Sequence, residues 1–365
     1  MAVGYELLVC DLRSDQLMDR LPVQGVSAED YIGKTGSLSG TIPVPDRAMA
    51  RRVQDALVPG RTALWLVRGQ TVLWSGIQWT DVQVSVDRGS ATVQVQAAGA
   101  ESYFRDHRQI VDTLTATAED QLDIVRDLIN YAQGKTGGHI GIEVPSSPVS
   151  GVLRDRTYLS YDLAYVGRRI DELAATQQGF EWRINYYRDS GGARHRVLQL
   201  GYPTITVGST DTVLSMPGQI LSYKLSRDAS VQANAWISRG ASVNSNLAAA
   251  SYPLMSAPLT TPADYAAGWP RLDGSSDYSS VTSQSVLDQN ASADLARQVR
   301  PVVIPQVTIR PGPEGLPPLG SSLRLRIRDV WNPAGLTARY RLVGWRLQPE
   351  ERGRGETADL YLEVI

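Results

Sequence analysis

At about 150 residues per domain, a chain of 365 residues has room for two or three domains and for a sizeable core without disulfide or metal staples. Hydrophobic residues at 42% and charged residues at 20% exclude a disordered chain, and a formal charge of −2 gives no whole-molecule attraction to nucleic acid or anionic membrane. The single cysteine, Cys10, excludes an internal disulfide framework and a cysteine-based zinc site.

No stretch approaches 18 consecutive apolar residues, and Met1 to Arg13 lacks the basic and apolar regions of a secretory signal. The expectation is a soluble protein made in a reducing cytoplasm. Three lysines (Lys34, Lys135, Lys224) stand against 33 arginines, a bias that codon usage in a GC-rich genome explains. Only Phe104 and Phe180 among 26 aromatics are Phe. The Tyr and Trp excess fits a protein with large interfaces, because both couple contact area to a polar handle.

In chain order, Tyr5 to Leu12 and Ser37 to Ile42 read as strands. Met49, Val53, Ala56 and Leu57 make a helical stripe stopped by Pro59-Gly60. Thr62 to Arg68 and Thr71 to Trp79 are apolar runs joined at a Gly69-Gln70 hairpin. Asp81 to Val86 and Ala91 to Ala97 alternate with period two around a turn at Asp87-Arg88-Gly89-Ser90, predicting a half-buried antiparallel sheet.

From about residue 106 the period changes. Leu122, Val125, Ile129 and Ala132 form a helical stripe, with Thr117 as its expected cap, and Val166, Ile170, Leu173 and Ala174 form a second. Phe180 to Tyr186 and Arg194 to Leu200 then pair as strands. Further strands are expected at Gln219 to Leu225, Val231 to Ile237, Val302 to Arg310, Leu323 to Arg328, Arg339 to Gln348 and Thr357 to Val364. Residues 241–299, Ala/Ser-rich with four prolines, read as non-strand with one short helix near Ala291 to Val299.

No motif in the sequence meets the residue and spacing requirements of a known chemistry. Gly33-Lys34-Thr35 and Gly134-Lys135-Thr136 lack the first glycine of a phosphate loop. Gly36-Ser37-Leu38-Ser39-Gly40 has Leu38 where a nucleophile elbow needs Ser. His107, His139 and His195 share no metal-ligand spacing, and Asn290-Ala291-Ser292 is a glycosylation sequon without a secretory context. Glu119-Asp120, Asp171-Glu172 and Glu350-Glu351 read as a helix start and solvated faces. The Arg324, Arg326, Arg328 stripe reads as a solvated or pairing face, because no aromatic interleaves it as a single-strand binder needs. No catalytic, cofactor-binding or metal residue is assigned and no cofactor is expected.

The ordered set Gly60-Arg61-Thr62-Ala63-Leu64-Trp65-Leu66-Val67, Val72-Leu73-Trp74-Ser75-Gly76-Ile77-Gln78-Trp79 and Ala98-Gly99-Ala100-Glu101-Ser102-Tyr103-Phe104 resembles minor tail proteins of long-tailed, non-contractile phages of actinobacteria, in the tail-hub (baseplate hub) family. The likeness continues through Asp120-Gln121, Gly151 to Tyr158, Gln178 to Trp182 and Val343-Gly344-Trp345, about two-thirds of the chain.

The resemblance implies a mainly β fold with an α+β part. The periodicity places a barrel-like β domain at 1–105 and an α+β domain at 106–203, and the strand count makes a second barrel discontinuous, 204–240 with 300–365, around an inserted lobe at 241–299. The resemblance implies that both β-barrel domains are tail-tube-like. It implies a non-enzymatic structural protein at the virion tail tip. There a homotrimer imitates a six-fold ring, caps the hexameric tail tube and anchors host-recognition parts. The implied partners are other copies of the chain, the distal tail protein, the tape-measure protein and receptor-binding proteins. No membrane anchor and no sequence-specific contact to nucleic acid are expected, and the resemblance implies a lumen through which DNA would pass. Some relatives continue into a peptidoglycan-cleaving domain, which is not expected here because the chain stops at Ile365. The competing class is a cell-wall hydrolase or carbohydrate-binding module, with Trp and Tyr as sugar platforms.

Overall fold

A computed structural model describes residues 5–86, 91–242, 251–279, 281–300, 302–312, 315–351, 353 and 355–364. The expected turn at Asp87, Arg88, Gly89 and Ser90 lies outside them, as do Met1 to Gly4 and part of the 241–299 segment. Contacts divide the chain into a larger unit, Met1–Tyr223 with Gln306–Ile365, and a smaller unit, Lys224–Pro305.

The larger unit opens with β1 (Tyr5–Asp11), β2 (Leu17–Leu21), β3 (Gln24–Tyr31), β4 (Ser37–Val44), helix α1 (Arg47–Ala56), β5 (Thr62–Arg68), β6 (Thr71–Ser85) and β7 (Ala91–Ala98). In α1 the carboxylate of Asp46 caps the amide of Met49 at 2.8 Å, and Met49, Val53 and Ala56 are buried one turn apart. β1 and β5 are buried on both faces, which is why they read as continuous apolar runs and not as alternation. At Gly76 a Cβ would lie 2.2 Å from the Ala98 carbonyl oxygen, so only glycine lets β6 pass that close to the end of β7.

Two expectations fail in this region. β6 is one 15-residue strand where two were expected. Its second half is exposed: Val82 is 47% and Val84 38% accessible, while Val93, Val95 and Ala97 of β7 are buried. Alternation marks a face that something covers, and among the described residues the β6 valines stay exposed.

Next come α2 (Glu101–Asp106), β8 (Leu114–Asp120), α3 (Gln121–Gly134), β9 (Ile142–Glu143), β10 (Leu153–Tyr158), α4 (Val166–Ala174), β11 (Glu181–Arg188) and β12 (Arg194–Gly201). The cap of α3 is Asp120, whose carboxylate accepts from Leu122 N at 2.8 Å; Thr117 lies within β8. This α+β part has no core of its own. Its buried residues, among them Leu122, Ile129, Ile170 and Trp182, pack in one cluster with Leu8, Cys10, Trp65 and Ile77 from the outer face of β1, β5 and β6.

β13 (Val207–Met216) and β14 (Ile220–Asp228) follow. The smaller unit then builds on β15 (Ala235–Ser242), flanked by β16 (Pro253–Met255), β17 (Leu259–Thr260) and β18 (Asp273–Asp277), with helices α5 (Pro262–Ala266) and α6 (Gln284–Gln298). Three short strands therefore lie where Pro and Ser argued for none. Of the expected Val231 to Ile237 strand only Ala235 to Ile237 is strand; it opens β15, the centre of this unit's sheet, and Val231 to Asn234 precede it without strand pairing. Trp236, Ala233, Ala291 and Leu295 form the unit's own small core.

The chain closes with β19 (Val302–Ile309), β20 (Ser321–Ile327), β21 (Leu336–Gln348) and β22 (Thr357–Val364). The C-terminal half of β21 pairs antiparallel with β3 (Trp345 opposite Asp30), so the N- and C-terminal strands form one sheet of 13 strands among the described residues. The inner core follows that sheet without a break, from Leu7, Leu66 and Trp74 to Leu323, Leu342, Trp345 and Leu360. The fold is mainly β with an α+β part.

Candidate functional site

Most residues that could carry chemistry are occupied holding the scaffold together. His107 stacks on Trp79 with ring centroids 4.1 Å apart, and Nδ1 of His139 accepts from Gly141 N within a turn. His195 lies against Tyr187 (4.8 Å) between Glu143 (2.5 Å) and Asp189 (3.2 Å), whose hydrogen bonds hold its pKa above the usual value. Among the described residues, no group of three or more His, Cys, Asp or Glu could hold a metal ion, and no helix is long and apolar enough to cross a membrane.

The two Gly-Lys-Thr turns are anchors. Arg105 donates to the Thr35 hydroxyl (2.8 Å) and the Gly33 carbonyl (3.1 Å), forms a fork with Asp171, and lies over the Trp182 ring at 4.6 Å. Lys135 pairs with Asp112 and sits over Tyr131. Of the acid clusters, Asp120 is a cap, Asp171 and Glu172 are in ion pairs, and Glu351 accepts from Gly25 N at 2.8 Å. Trp65, Trp74 and Trp182 are fully buried packing residues and offer no sugar a platform.

Three ionic staples join parts of the larger unit distant in sequence. At Asp15, in a left-handed backbone conformation (φ 53°), the carboxylate accepts from Trp65 Nε1 (2.8 Å), Arg194 Nε (2.9 Å) and Arg196 (2.8 Å). Both guanidiniums lie over the Trp65 ring. At Arg341, buried to 7% exposure, the guanidinium spans Glu181 (2.5 Å), Glu363 (2.6 Å) and the Ile205 carbonyl (3.0 Å). At Asp211, hydrogen bonds from Ser322 and then Arg324, with Arg339 adding to them, lower the carboxyl to about 2. Arg324, singled out in the cationic stripe, is thus a pairing residue, while Arg326 and Arg328 are exposed.

A fourth cluster is buried and pH-sensitive. Asp30 and Arg183, each about 5% exposed, pair directly, and Glu101 nearby accepts from Ile184 N at 2.6 Å. Burial, and then the charge of Asp30, push Glu101 up to about 7; burial pushes Asp30 up against the pull of Arg183. A carboxyl raised in the folded state binds protons there that the unfolded chain has released. Its contribution to stability is therefore favourable below about pH 4.5 and is lost as pH rises toward 7. Glu101→Gln keeps the acceptor for Ile184 and removes the charge. Urea midpoints measured from pH 4.5 to 8 should show the wild-type decline flattened, with a gain on the order of 2 kcal/mol at pH 8. An unchanged pH slope would rule out Glu101 as its source.

What remains unoccupied is surface. Among the described residues, β2, β13 and β14 each have one side unpaired in the sheet order, Val82, Val84 and Val86 form an exposed apolar stripe, and Val330 and Trp331 project almost fully into solvent. Unpaired edges and large exposed apolar groups are what assembly interfaces use.

The solved tail protein from Neisseria meningitidis MC58 has a TM-score of 0.61 to this chain at 14% identity, covering 98% of this chain and 96% of that one. This is the fold of phage tail proteins. The 43 kDa tail protein of prophage MuSo2 from Shewanella oneidensis gives 0.62 at 9% identity, with 98% of both chains covered. Prophage tail protein gp18 from Listeria monocytogenes EGD-e gives 0.54 at 12%, covering 98% and 94%. No protein-family model and no curated protein matches the sequence. The tail-protein likeness thus lies in the backbone arrangement and spans both units of the chain.

Proposed function

We propose that this chain is a structural protein of a phage tail tip, an assembly hub that catalyses no reaction. The observation that carries the reading is the fold shared with prophage tail proteins over nearly the whole length of both chains. The placement of its charged residues supports it: they staple strands together, while open strand edges and apolar groups face outward.

In its finer form the reading is a trimer that imitates a six-fold ring and caps a hexameric tube, in a long non-contractile tail of the actinobacterial type. Residues 204–223 and 306–365 would supply each subunit's second tube-like barrel, with the Lys224–Pro305 unit inserted between them. The distal tail protein, the tape-measure protein and receptor-binding proteins would be its neighbours, and DNA would leave through the lumen. Gold-labelled antibody against the chain should mark one end of the tail in intact particles. Purified protein should leave a peptidoglycan zymogram uncleared. Labelling along the whole tail, or clearing that one carboxylate substitution abolishes, would overturn the reading.

A further inference from the structure

Val330 and Trp331, 88% and 84% exposed, form the tip of the loop between β20 and β21. An indole left in water on a floppy loop would need no explanation, but this loop is built. The carboxylate of Asp329 accepts from the amides of Trp331 (3.0 Å) and Asn332 (2.7 Å) and from the Tyr223 hydroxyl (2.6 Å). Asn332 Nδ2 donates to both Asp329 and Tyr223, and Gly335 N closes the turn onto the Asn332 carbonyl. A pre-ordered Trp loses little entropy on docking, which is the profile of an interface anchor. At its base stand Arg326 and Arg328, exposed and in no ion pair among the described residues.

A complementary receptor lies elsewhere on the same unit. Between β8 and α3 is a cavity of about 140 Å³, walled by Ala116, Ile124, Leu128 and Tyr158 and bordered by Glu119 and Asp127. The Tyr158 hydroxyl lies buried behind this wall with no hydrogen-bond partner among the described residues. Glu119 and Asp127 put two carboxyl groups at the mouth, and burial, followed by the charge of Asp127, raises the Glu119 carboxyl from its ordinary value. The nearby cations are engaged: Arg169 pairs with Asp162 and Glu172, and Arg156 donates to the Asp155 carbonyl. Trp331 is too exposed to occupy any pocket of its own chain.

We propose that Trp331 of one copy docks into the Ala116–Ile124–Leu128–Tyr158 pocket of a second copy of this chain, with Arg326 and Arg328 facing Glu119 and Asp127. The contact is head-to-tail, because tip and pocket are different surfaces, and such a contact builds either a closed ring or an open filament. The inference rests on the assembly reading given above and names the surfaces that would carry it.

Sedimentation of the full chain over a concentration series tests it. The wild type should self-associate, and Trp331→Ala should weaken association by about thirtyfold or more while leaving the urea midpoint unchanged. Arg328→Glu and Asp127→Arg should each weaken association and together restore it. The proposal is overturned if Trp331→Ala associates like the wild type, if the two reversals together fail to recover, or if the wild type stays monomeric to its solubility limit. Charge-swap recovery in a protein that never enters tails would support the contact while counting against the tail-tip reading.

Discussion

Replacing Asp15 by Ala should destabilise the larger unit by about 3–5 kcal/mol, read as a lowered urea midpoint. Arg196 is 4% exposed and Arg194 15%, so removing the carboxylate leaves two guanidiniums facing each other with little water to screen them. The indole N–H of fully buried Trp65 loses its acceptor as well. Alanine is also a poor fit for the left-handed backbone at this position, where φ is 53°. Asp15→Asn keeps that conformation and an acceptor for Trp65 and should cost about half as much. The control is Arg61→Ala, which breaks an ion pair whose arginine is 69% exposed and should shift stability by no more than about 0.5 kcal/mol. If Asp15→Ala behaved like that control, the staple would carry no load.

The second large effect is expected at Arg341. Arg341→Met retains the apolar stem but leaves Glu181, Glu363 and the Ile205 carbonyl without their shared donor. Glu181 is 23% and Glu363 53% exposed, so water recovers part of the loss, and the expected cost is about 2–4 kcal/mol. Adding Glu181→Gln should return a measurable part, since it removes one of the stranded charges. A double mutant as unstable as the sum of the singles would show that the two residues act independently.

These staples explain which parts of the molecule could be read from its sequence. β1, β5, α1, α4 and β11 were legible because each has a local pattern: a run buried on both faces, or a stripe at helical spacing. β2, β3, β8 and β10 were not, since their short, polar-rich segments are strands only by virtue of their partners. The break assumed at Thr80 fails because β6 passes Gly76 and Gln78, both buried, without leaving the sheet. The valines beyond it alternate correctly and remain uncovered, because period two reports a covered face without saying whose chain covers it.

β15 shows a different limit. Val231 to Ile237 reads as strand-like, but the strand begins only at Ala235, and its place in the smaller unit depends on pairing with β16, β17 and β18, whose composition argues against strands. Asp15 and Arg194 lie 179 residues apart, and Arg183 and Asp30 153 apart, so no spacing rule brings them together. The Gly33-Lys34-Thr35 turn anchors Arg105 and Lys135 of the second Gly-Lys-Thr turn pairs with Asp112, and neither contact has a sequence signal. The Trp331 tip was missed for the same reason: Asp329-Val330-Trp331-Asn332 reads as an ordinary turn until Tyr223 is seen to hold it.

The central claim, that this chain is a structural hub at the end of a phage tail, is tested most directly by a reconstruction of the intact tail tip without imposed symmetry. The result expected is three copies of the chain, both units included, closing one end of the tube. Particles that lack the chain, or that carry one or six copies at that position, would contradict the account.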